Sequence, residues 1–190
     1  YADASGSIQG VYRTADGGDS WVAVNSSQLT SVGFHWWFRG IYVDPMEENT
    51  IYNVDFEVQK STDGGNNWFS AFIDAHVDQH ALAFNTMVPG EVLLGNDGGL
   101  YYSSDDGASY DKDVTLPITQ FYRMHVDTQN EDKIYGGAQD NNTIRTTTGG
   151  LNDWDAIFGG DGFQPLVDPT NTNVIYALSQ NGNMGKSIND

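Results

Sequence analysis

The stretch STDGGNNW at residues 61–68 decides the fold, because it returns twice along the chain. It reads TADGGDSW at residues 14–21 and SSDDGASY at residues 103–110, so that all three copies fit S/T-x-D-x-G-x-x-aromatic. We call this pattern the box. Asp and Ser or Thr side chains bond nearby backbone N–H groups in tight turns, and Gly supplies the positive φ that such turns require. Each box therefore predicts a tight hairpin with its aromatic packed under the turn.

The repeat extends beyond the three boxes. A looser copy, TTTGGLNDW at residues 146–154, has Thr in place of the box Asp and one inserted residue, and SIND at residues 187–190 matches the start of a fifth copy. A second element keeps the same register: IYVDP, LAFN, MHVD and PLVDP place Val43, Phe84, Val126 and Val167 at intervals of 41, 42 and 41 residues. Two independent motifs with one period of about 42 residues indicate a propeller or a repeat array.

Each period holds four short strands, which we name A to D in chain order, and we call each period a blade. Segments such as GLYYSS and EVLLGN have the length and the Val, Ile, Leu and Tyr content of strands, and no ten-residue stretch has the apolar period of a helix. We therefore predict an all-β β-propeller fragment of about four four-stranded antiparallel blades, within residues 1–190. The predicted parts are strands C and D at 10–25, full blades at 38–72, 80–115 and 121–157, and an incomplete blade at 164–190. We expect further blades of a larger propeller to be missing; a freestanding four-bladed ring is the alternative.

Composition and net charge exclude several classes of partner and of site. The chain has 190 residues and a formal charge of −18, from 8 Lys+Arg against 26 Asp+Glu, and no cysteine. Nucleic acids and anionic membrane surfaces are poor partners for such a chain, since their affinity rests largely on Lys and Arg. The absence of cysteine excludes disulfides, thiolate nucleophiles and Cys-based metal sites. No apolar run approaches the roughly 20 residues that span a bilayer, so membrane insertion is not expected.

The boxes resemble the Asp-box (BNR) repeat of sialidases, family-74 xyloglucanases and sortilin-like propellers. Beyond them, HVDQHALAFN, GNDGGLYYSSDDG and YGGAQDNNT are similar to sortilin-like, glycosyl-hydrolase-type repeat proteins secreted by bacteria. The resemblance covers roughly residues 10–190. It implies a β-propeller and a secreted or cell-surface location. It implies no single activity, because these families include hydrolases, receptors and assembly factors.

Blade topology sorts the polar residues onto two faces. In an outward-running meander, the A–B and C–D turns leave one face, while the B–C loops and the D–A crossovers leave the other. The boxes are C–D turns, so their aspartates are expected to stabilise the turns. The opposite face collects the candidate catalytic carboxylates Asp78, Asp97, Asp140 and Asp161. Glycoside hydrolysis needs two carboxylates roughly 5 to 10 Å apart, and adjacent loops can supply such a pair; the structural alternative is that these residues cap loops as Asx-turns.

The same loops supply candidate ligand-binding side chains. Trp can present a flat face to a sugar, and His, Gln and Arg can bond to its hydroxyls. These candidates are His35, Trp36, Trp37, Arg39, His76, His80 and Gln120. His76, Asp78 and His80 alternate, so an extended chain would place them on one side, although they are too widely spaced for one tight metal site. We predict no cofactor, while the Asp- and Asn-rich loops leave Ca²⁺ open.

Two functional classes follow from these features. The first is a secreted carbohydrate-active propeller, either a glycoside hydrolase or a glycan-binding protein, that uses the crossover face. The second is a non-catalytic sortilin-like scaffold that binds protein or peptide. Asp, His and Trp on one rim favour the first class, and the absence of a complete active-site motif favours the second. Sialidase chemistry is disfavoured, because only four arginines are available to bind a sialate carboxylate.

Overall fold

A computed structural model describes residues 2–29, 37–38 and 40–190. These residues form seventeen strands. Blade 1 contains β1 (Val11–Arg13) and β2 (Val22–Val24), and blade 2 contains β3 (Gly40–Val43), β4 (Ile51–Val54), β5 (Val58–Ser61) and β6 (Phe69–Ala71). Blade 3 contains β7 (Gln79–Phe84), β8 (Val92–Asn96), β9 (Gly99–Ser103) and β10 (Asp111–Lys112). Blade 4 contains β11 (Phe121–Asp127), β12 (Asn130–Ala138), β13 (Thr143–Thr146) and β14 (Asp155–Phe158), and blade 5 contains β15 (Leu166–Asp168), β16 (Asn171–Leu178) and β17 (Met184–Ser187).

Every sheet is an antiparallel meander in which each strand pairs with the next strand along the chain. Blades 2, 3 and 4 have four strands each, blade 5 has three and blade 1 has two. A 3₁₀ turn at Gln180–Gly182 accompanies these strands. No helix within the described ranges is long and apolar enough to cross a membrane. The predicted fold class is confirmed: the chain is all-β and is built from about four β-propeller blades.

The chain divides into two compact units, Tyr1–Asp113 and Val114–Asp190. In the first unit, blades 2 and 3 enclose a hydrophobic core that contains Tyr52, Val54, Leu82, Leu94 and Tyr101. A second cluster joins Ile51 and Trp68 of blade 2 to Leu29 and the partly buried Val11. Since neighbouring residues of a strand point to opposite sides, Ile51 faces blade 1 while Tyr52 faces blade 3.

In the second unit, blades 4 and 5 pack together by the same alternation. Tyr135 of β12 is fully buried against Val167 and Ile175 of blade 5, with Ile157 beside them. Tyr135 follows Ile134 as Tyr52 follows Ile51, so blades 2 and 4 use the second residue of the same dipeptide to contact the blade that follows each of them. The sequence repeat therefore also appears in the packing of blade 2 on blade 3 and of blade 4 on blade 5.

Hydrogen bonds within the box explain why its sequence recurs. In the second box, the Asp63 carboxylate accepts hydrogen bonds from the backbone N–H groups of Asn66 and Asn67, at 3.0 and 2.9 Å, and from the Ser61 hydroxyl at 2.9 Å. Asp105 accepts equivalent bonds from Ser103 and from Ser109. The Trp68 indole N–H returns to the carbonyl of Gly65 at 3.2 Å, which closes the turn.

The fourth box forms the same turn with a different carboxylate. Its Thr148 occupies the position of the box Asp, and Asp153 takes over the acceptor role. The hydroxyls of Thr146 and Thr148 donate to Asp153, at 2.8 and 2.6 Å. The Trp154 indole still closes the turn onto the Gly150 carbonyl, at 2.9 Å. The inserted residue is therefore accommodated because Asp153 reaches back into the turn.

Candidate functional site

The first unit brings three of the predicted site residues together at one loop edge. Asp97 lies in the turn between β8 and β9, and His80 lies near the start of β7. The Nε2 atom of His80 and the Oδ1 atom of Asp97 are 2.6 Å apart. One carboxylate oxygen of Asp78 lies within 4.8 Å of one of Asp97. This edge therefore holds two neighbouring carboxylates, one of which is hydrogen-bonded to an imidazole.

The backbone of the crossover into β7 fixes the position of Asp78. Asp78 has a φ of 64°, in the left-handed region. Its N–H donates to the carbonyl of Phe56 at 3.0 Å, and the next N–H, of Gln79, donates to the carbonyl of Asp55 at 2.9 Å. The crossover is thus attached to the B–C loop of blade 2. Both of these bonds are made by the backbone.

Gln79 completes this anchorage, and sequence reasoning missed it. Its side chain is 2% exposed, and its amide nitrogen donates to the carbonyls of Phe56 and His76, at 3.2 and 2.6 Å. Its amide oxygen accepts a bond from the Asn96 side chain at 3.1 Å. A buried amide with all these partners rigidifies its surroundings. The signal that could have found it is a second polar residue, next to His80, at the start of strand β7.

The turn that carries Asp97 is held from both sides. The Gly98 N–H donates to the Asn96 side chain at 2.9 Å, and the Asp97 N–H donates to the Asp78 carbonyl at 3.3 Å. A Cβ atom on Gly98 would lie 2.4 Å from the Cβ of His76. Only glycine therefore fits at this point, where the turn and the crossover touch.

The expectation that His76, Asp78 and His80 share one side of an extended chain is wrong. The left-handed conformation of Asp78 breaks the alternation, and the β7–β8 register shifts between Gln79 and Ala81. The Nδ1 atom of His76 contacts the Val77 carbonyl at 2.9 Å, whereas His80 contacts Asp97. The two histidines therefore have separate roles, one within its own loop and one at the carboxylate pair.

One aromatic side chain, that of Phe38, lies beside His80. The Phe38 ring is 5.8 Å from the His80 ring, measured between centroids. Trp37 is 64% exposed, so much of its indole faces solvent. The predicted site residues His35, Trp36 and Arg39 lie outside the described residues.

The second unit brings Asp140 and Asp161 together. The Asp140 N–H donates to the Asp161 carboxylate at 2.6 Å, and the Asn142 N–H donates to the Gly160 carbonyl at 2.9 Å. The Asp161 carboxylate thus joins two loops that are 21 residues apart in sequence, which is not the local bond of an Asx-turn. The predicted Gln120 donates from its side chain to the Gln139 side chain at 2.7 Å.

Tyr122, which sequence reasoning did not select, stacks on Phe163 in the second unit. Their ring centroids are 5.2 Å apart and their planes differ by 11°. Burial raises the pKa of the Tyr122 phenol, and the nearby charges of Asp161 and Asp140 raise it further. Both carboxylates therefore act on the Tyr122 hydroxyl. The signal for this group was the aromatic pair Phe121–Tyr122 that follows Gln120 at the entry to strand A.

Comparisons with known proteins find similar solved structures but identify no family for this chain. No family model matches the chain, and no curated protein matches it. An ancestral GH74 enzyme is 20% identical, with a TM-score of 0.44 over 91% of this chain and 25% of that chain. The GH74 enzyme of Niastella koreensis is 19% identical, with a TM-score of 0.46 over 95% of this chain and 33% of that one. YCF48 bound to D1 peptide is 12% identical, with a TM-score of 0.38 over 94% of this chain and 72% of that chain. The chain thus spans a quarter to a third of the GH74 chains, and similarities at this level do not assign an activity.

Proposed function

We propose that this chain belongs to a secreted, carbohydrate-active propeller of the Asp-box (BNR) type, which hydrolyses or binds glycans through its crossover loops. One observation carries the proposal: the carboxylates of Asp78 and Asp97 lie within 4.8 Å of each other, by their nearest ligand oxygens, and His80 bonds Asp97 at 2.6 Å. The secreted location rests on the resemblance of the repeats alone.

The spacing of the carboxylates fits glycoside hydrolysis with retention. Retaining glycosidases use two carboxyl groups about 5 to 5.5 Å apart, one as nucleophile and one as acid and base. The Nε2 atom of His80, 2.6 Å from Asp97, is placed to stabilise a negative charge on that side chain. Asp97 is therefore the candidate for the ionised nucleophile. Asp78, whose loop is held by backbone bonds, is the candidate acid and base.

The surroundings of the pair suit a sugar. Flat aromatic faces pack against the apolar side of a sugar ring, and Trp37 offers such a face because it is 64% exposed. Phe38 lies against His80 and closes one side of the pair. Asp140 and Gln120 belong to the second unit and are separate candidates there for contacts to a glycan hydroxyl. Asp161 already accepts the Asp140 N–H, and we assign it to loop structure.

A scaffold that binds peptide is the second candidate, and a groove in the second unit favours it. The groove has a volume of about 360 Å³ and is lined by residues that include Leu116, Ile118, Leu151 and Trp154. Ile118 and Leu151 are 66% and 77% exposed. Apolar side chains of this kind would accommodate the side chains of an extended peptide.

A panel of polysaccharides tests the proposal against this alternative. The chain, Asp78→Asn and Asp97→Asn are assayed for release of reducing ends and, separately, for glycan binding by calorimetry. Each Asn variant should lose about 10²- to 10⁴-fold in rate while it keeps binding. Asp111→Asn, an exposed carboxylate of strand β10, is the control and should keep the wild-type rate. If the chain neither cleaves nor binds any glycan but binds a peptide in the same calorimetric assay, the scaffold alternative replaces the proposal.

A further inference from the structure

The crossover into β7, residues 72–78, carries Asp78 on a strained backbone. Three of its seven residues, Phe72, Asp74 and Asp78, have φ values of 51°, 67° and 64°, in the left-handed region. Side chains disfavour this region, and a bulky aromatic residue such as Phe72 is an outlier there. Such a backbone persists only where the surrounding structure holds it. The crossover therefore depends on contacts from outside for its shape, and the position of Asp78 depends on that shape.

Tyr110, the aromatic residue of the third box, holds the first half of the crossover. Its hydroxyl donates to the Ile73 carbonyl at 2.9 Å, and its ring stacks on the Phe72 ring with centroids 5.8 Å apart. Phe72 is 3% exposed, and its N–H donates to the carbonyl of Gly107 in the same box at 2.8 Å. Burial raises the pKa of the Tyr110 phenol, and the nearby charge of Asp74 raises it further. The hydroxyl therefore stays protonated and keeps its proton for the Ile73 carbonyl.

Tyr101 of β9 holds the second half of the crossover. Its hydroxyl accepts a hydrogen bond from the His76 N–H at 3.3 Å. Tyr101 is 5% exposed, and its ring lies edge-on to the Tyr110 ring, with centroids 5.4 Å apart and planes at 75°. Aromatic rings attract each other in this arrangement. The two phenols thus pack together, and each bonds a different backbone group of the crossover.

Blade 2 holds the crossover that enters it in the same way. Trp68, the box aromatic of that blade, donates from its indole N–H to the Asn25 carbonyl at 2.7 Å. The Gln59 side chain donates to the Gln28 carbonyl at 3.1 Å. Both carbonyls follow β2 and precede β3, in the crossover into blade 2. Two side chains of a blade therefore fix the crossover that enters it.

The two tyrosines occupy the corresponding positions of blade 3. Tyr110 is the box aromatic, as Trp68 is. Tyr101 lies two residues before the start of the third box, as Gln59 lies two residues before the start of the second. In blade 3, however, both side chains bond the crossover through a phenol hydroxyl. A change to Phe at either position therefore removes the bond and keeps the ring.

We propose that Tyr101 and Tyr110 are positioning residues, whose hydroxyls hold the crossover into β7 so that the Asp78 carboxylate stays beside that of Asp97. When either hydroxyl is lost, the left-handed residues relax toward negative φ, and Asp78 moves away from Asp97. The consequence for catalysis rests on the proposed function. Hydrolysis needs two correctly spaced carboxylates, so it slows, whereas glycan binding through other side chains changes little.

The position of Asp78 can be measured without any glycan. The chain has no cysteine, so Asp78→Cys and Asp97→Cys together introduce its only two thiols. Their effective concentration, from the equilibrium between dithiol and disulfide in glutathione buffers, reports how firmly the two positions are held together. Adding Tyr110→Phe or Tyr101→Phe should lower it at least about fivefold, since one hydrogen bond contributes about that factor.

Tyr102→Phe is the matched control. Tyr102 lies in the same strand as Tyr101, and its hydroxyl bonds the Glu91 side chain instead of the crossover. The control variant also loses one hydrogen bond of a tyrosine, but the thiol equilibrium should stay within about twofold of its starting value. An equal change in the Tyr110→Phe and Tyr102→Phe variants would overturn the proposal, whether or not the chain hydrolyses glycans.

Glycan hydrolysis gives the second measurement, made with both aspartates in place. Tyr110→Phe and Tyr101→Phe should each lower kcat at least about tenfold and change KM by less than about twofold, while Tyr102→Phe changes neither. An unchanged kcat in an active chain would overturn the proposal. A wild-type chain that hydrolyses no glycan would contradict the proposed function alone, and a shifted thiol equilibrium would still assign the two tyrosines to the position of Asp78.

Discussion

At the scale of single residues, the box aspartates matter because one carboxylate satisfies several turn donors at once. Asp63 accepts two backbone N–H groups and the side chains of Ser61 and Asn67. These bonds hold the pKa of Asp63 at about 2, with the Asn67 backbone bond as the largest cause. All of these donors belong to the box itself, so the Asp63 carboxylate stabilises its own turn and we assign it a structural role.

We expect Asp63→Ala to lower the Tm by about 2 to 4 °C at pH 6, with no change in glycan binding. The folded pKa lies below the unfolded value of about 3.9, so this stabilisation is present above pH 4 and is lost as the pH falls through about 2. The difference in Tm between wild type and variant should therefore shrink from pH 6 to pH 2 in thermal scans. Asp19→Ala, at an exposed variable position of the first box, is the control; an unchanged Tm with lost binding would contradict the structural role of Asp63.

At the scale of elements, two loops contact each other directly: the turn between β8 and β9, and the crossover into β7. Gly98 lies against His76, and the Asp97 N–H donates to the Asp78 carbonyl. We expect Gly98→Ala to displace the crossover, because its Cβ would lie 2.4 Å from that of His76. Glycan binding and turnover should fall at least about tenfold while circular dichroism still shows a folded protein.

The control for that substitution is Gly95→Ala, in the strand β8 that precedes the turn. A Cβ on Gly95 would meet only the Ala81 methyl, at 3.9 Å, which is an ordinary contact. Activity and Tm should therefore stay close to wild type in assays run beside Gly98→Ala. Equal losses in both variants would mean that an added methyl group is harmful at either glycine, and that the turn has no special role.

The elements also show how far the sequence predicts this molecule. The blades follow from turn chemistry repeated at a fixed period, so the fold class needed no knowledge of side-chain contacts. The pairing of His80 with Asp97 depends on the left-handed backbone of Asp78 and on a register shift in β7, which no periodic pattern encodes. Asp153 was missed for a related reason, since it directly precedes the box aromatic, at a position where the pattern accepts any residue.

At the scale of the whole molecule, the formal charge of −18 is the dominant feature. Like charges repel one another in the compact state, and salt weakens this repulsion. The Debye length falls from about 30 Å at 10 mM salt to about 8 Å at 150 mM. A neutral glycan carries no charge to screen, so the affinity of the proposed site for it should vary little over the same range. Salt should thus affect the stability of the protein far more than its binding of a neutral glycan.

We therefore expect the Tm to rise by several degrees between 10 and 150 mM NaCl, measured by calorimetry. Ca²⁺ provides the decisive comparison, because the acidic loops leave a calcium site open. Screening depends on ionic strength and valence, so MgCl₂ and CaCl₂ at equal concentration should raise the Tm equally if only screening acts. A specific site prefers Ca²⁺, whose larger size accepts six to eight oxygen ligands. A Tm higher in 1 mM CaCl₂ than in 1 mM MgCl₂ would contradict pure screening, and loss of that difference in Asp78→Asn would assign the ion to the loop edge of the first unit.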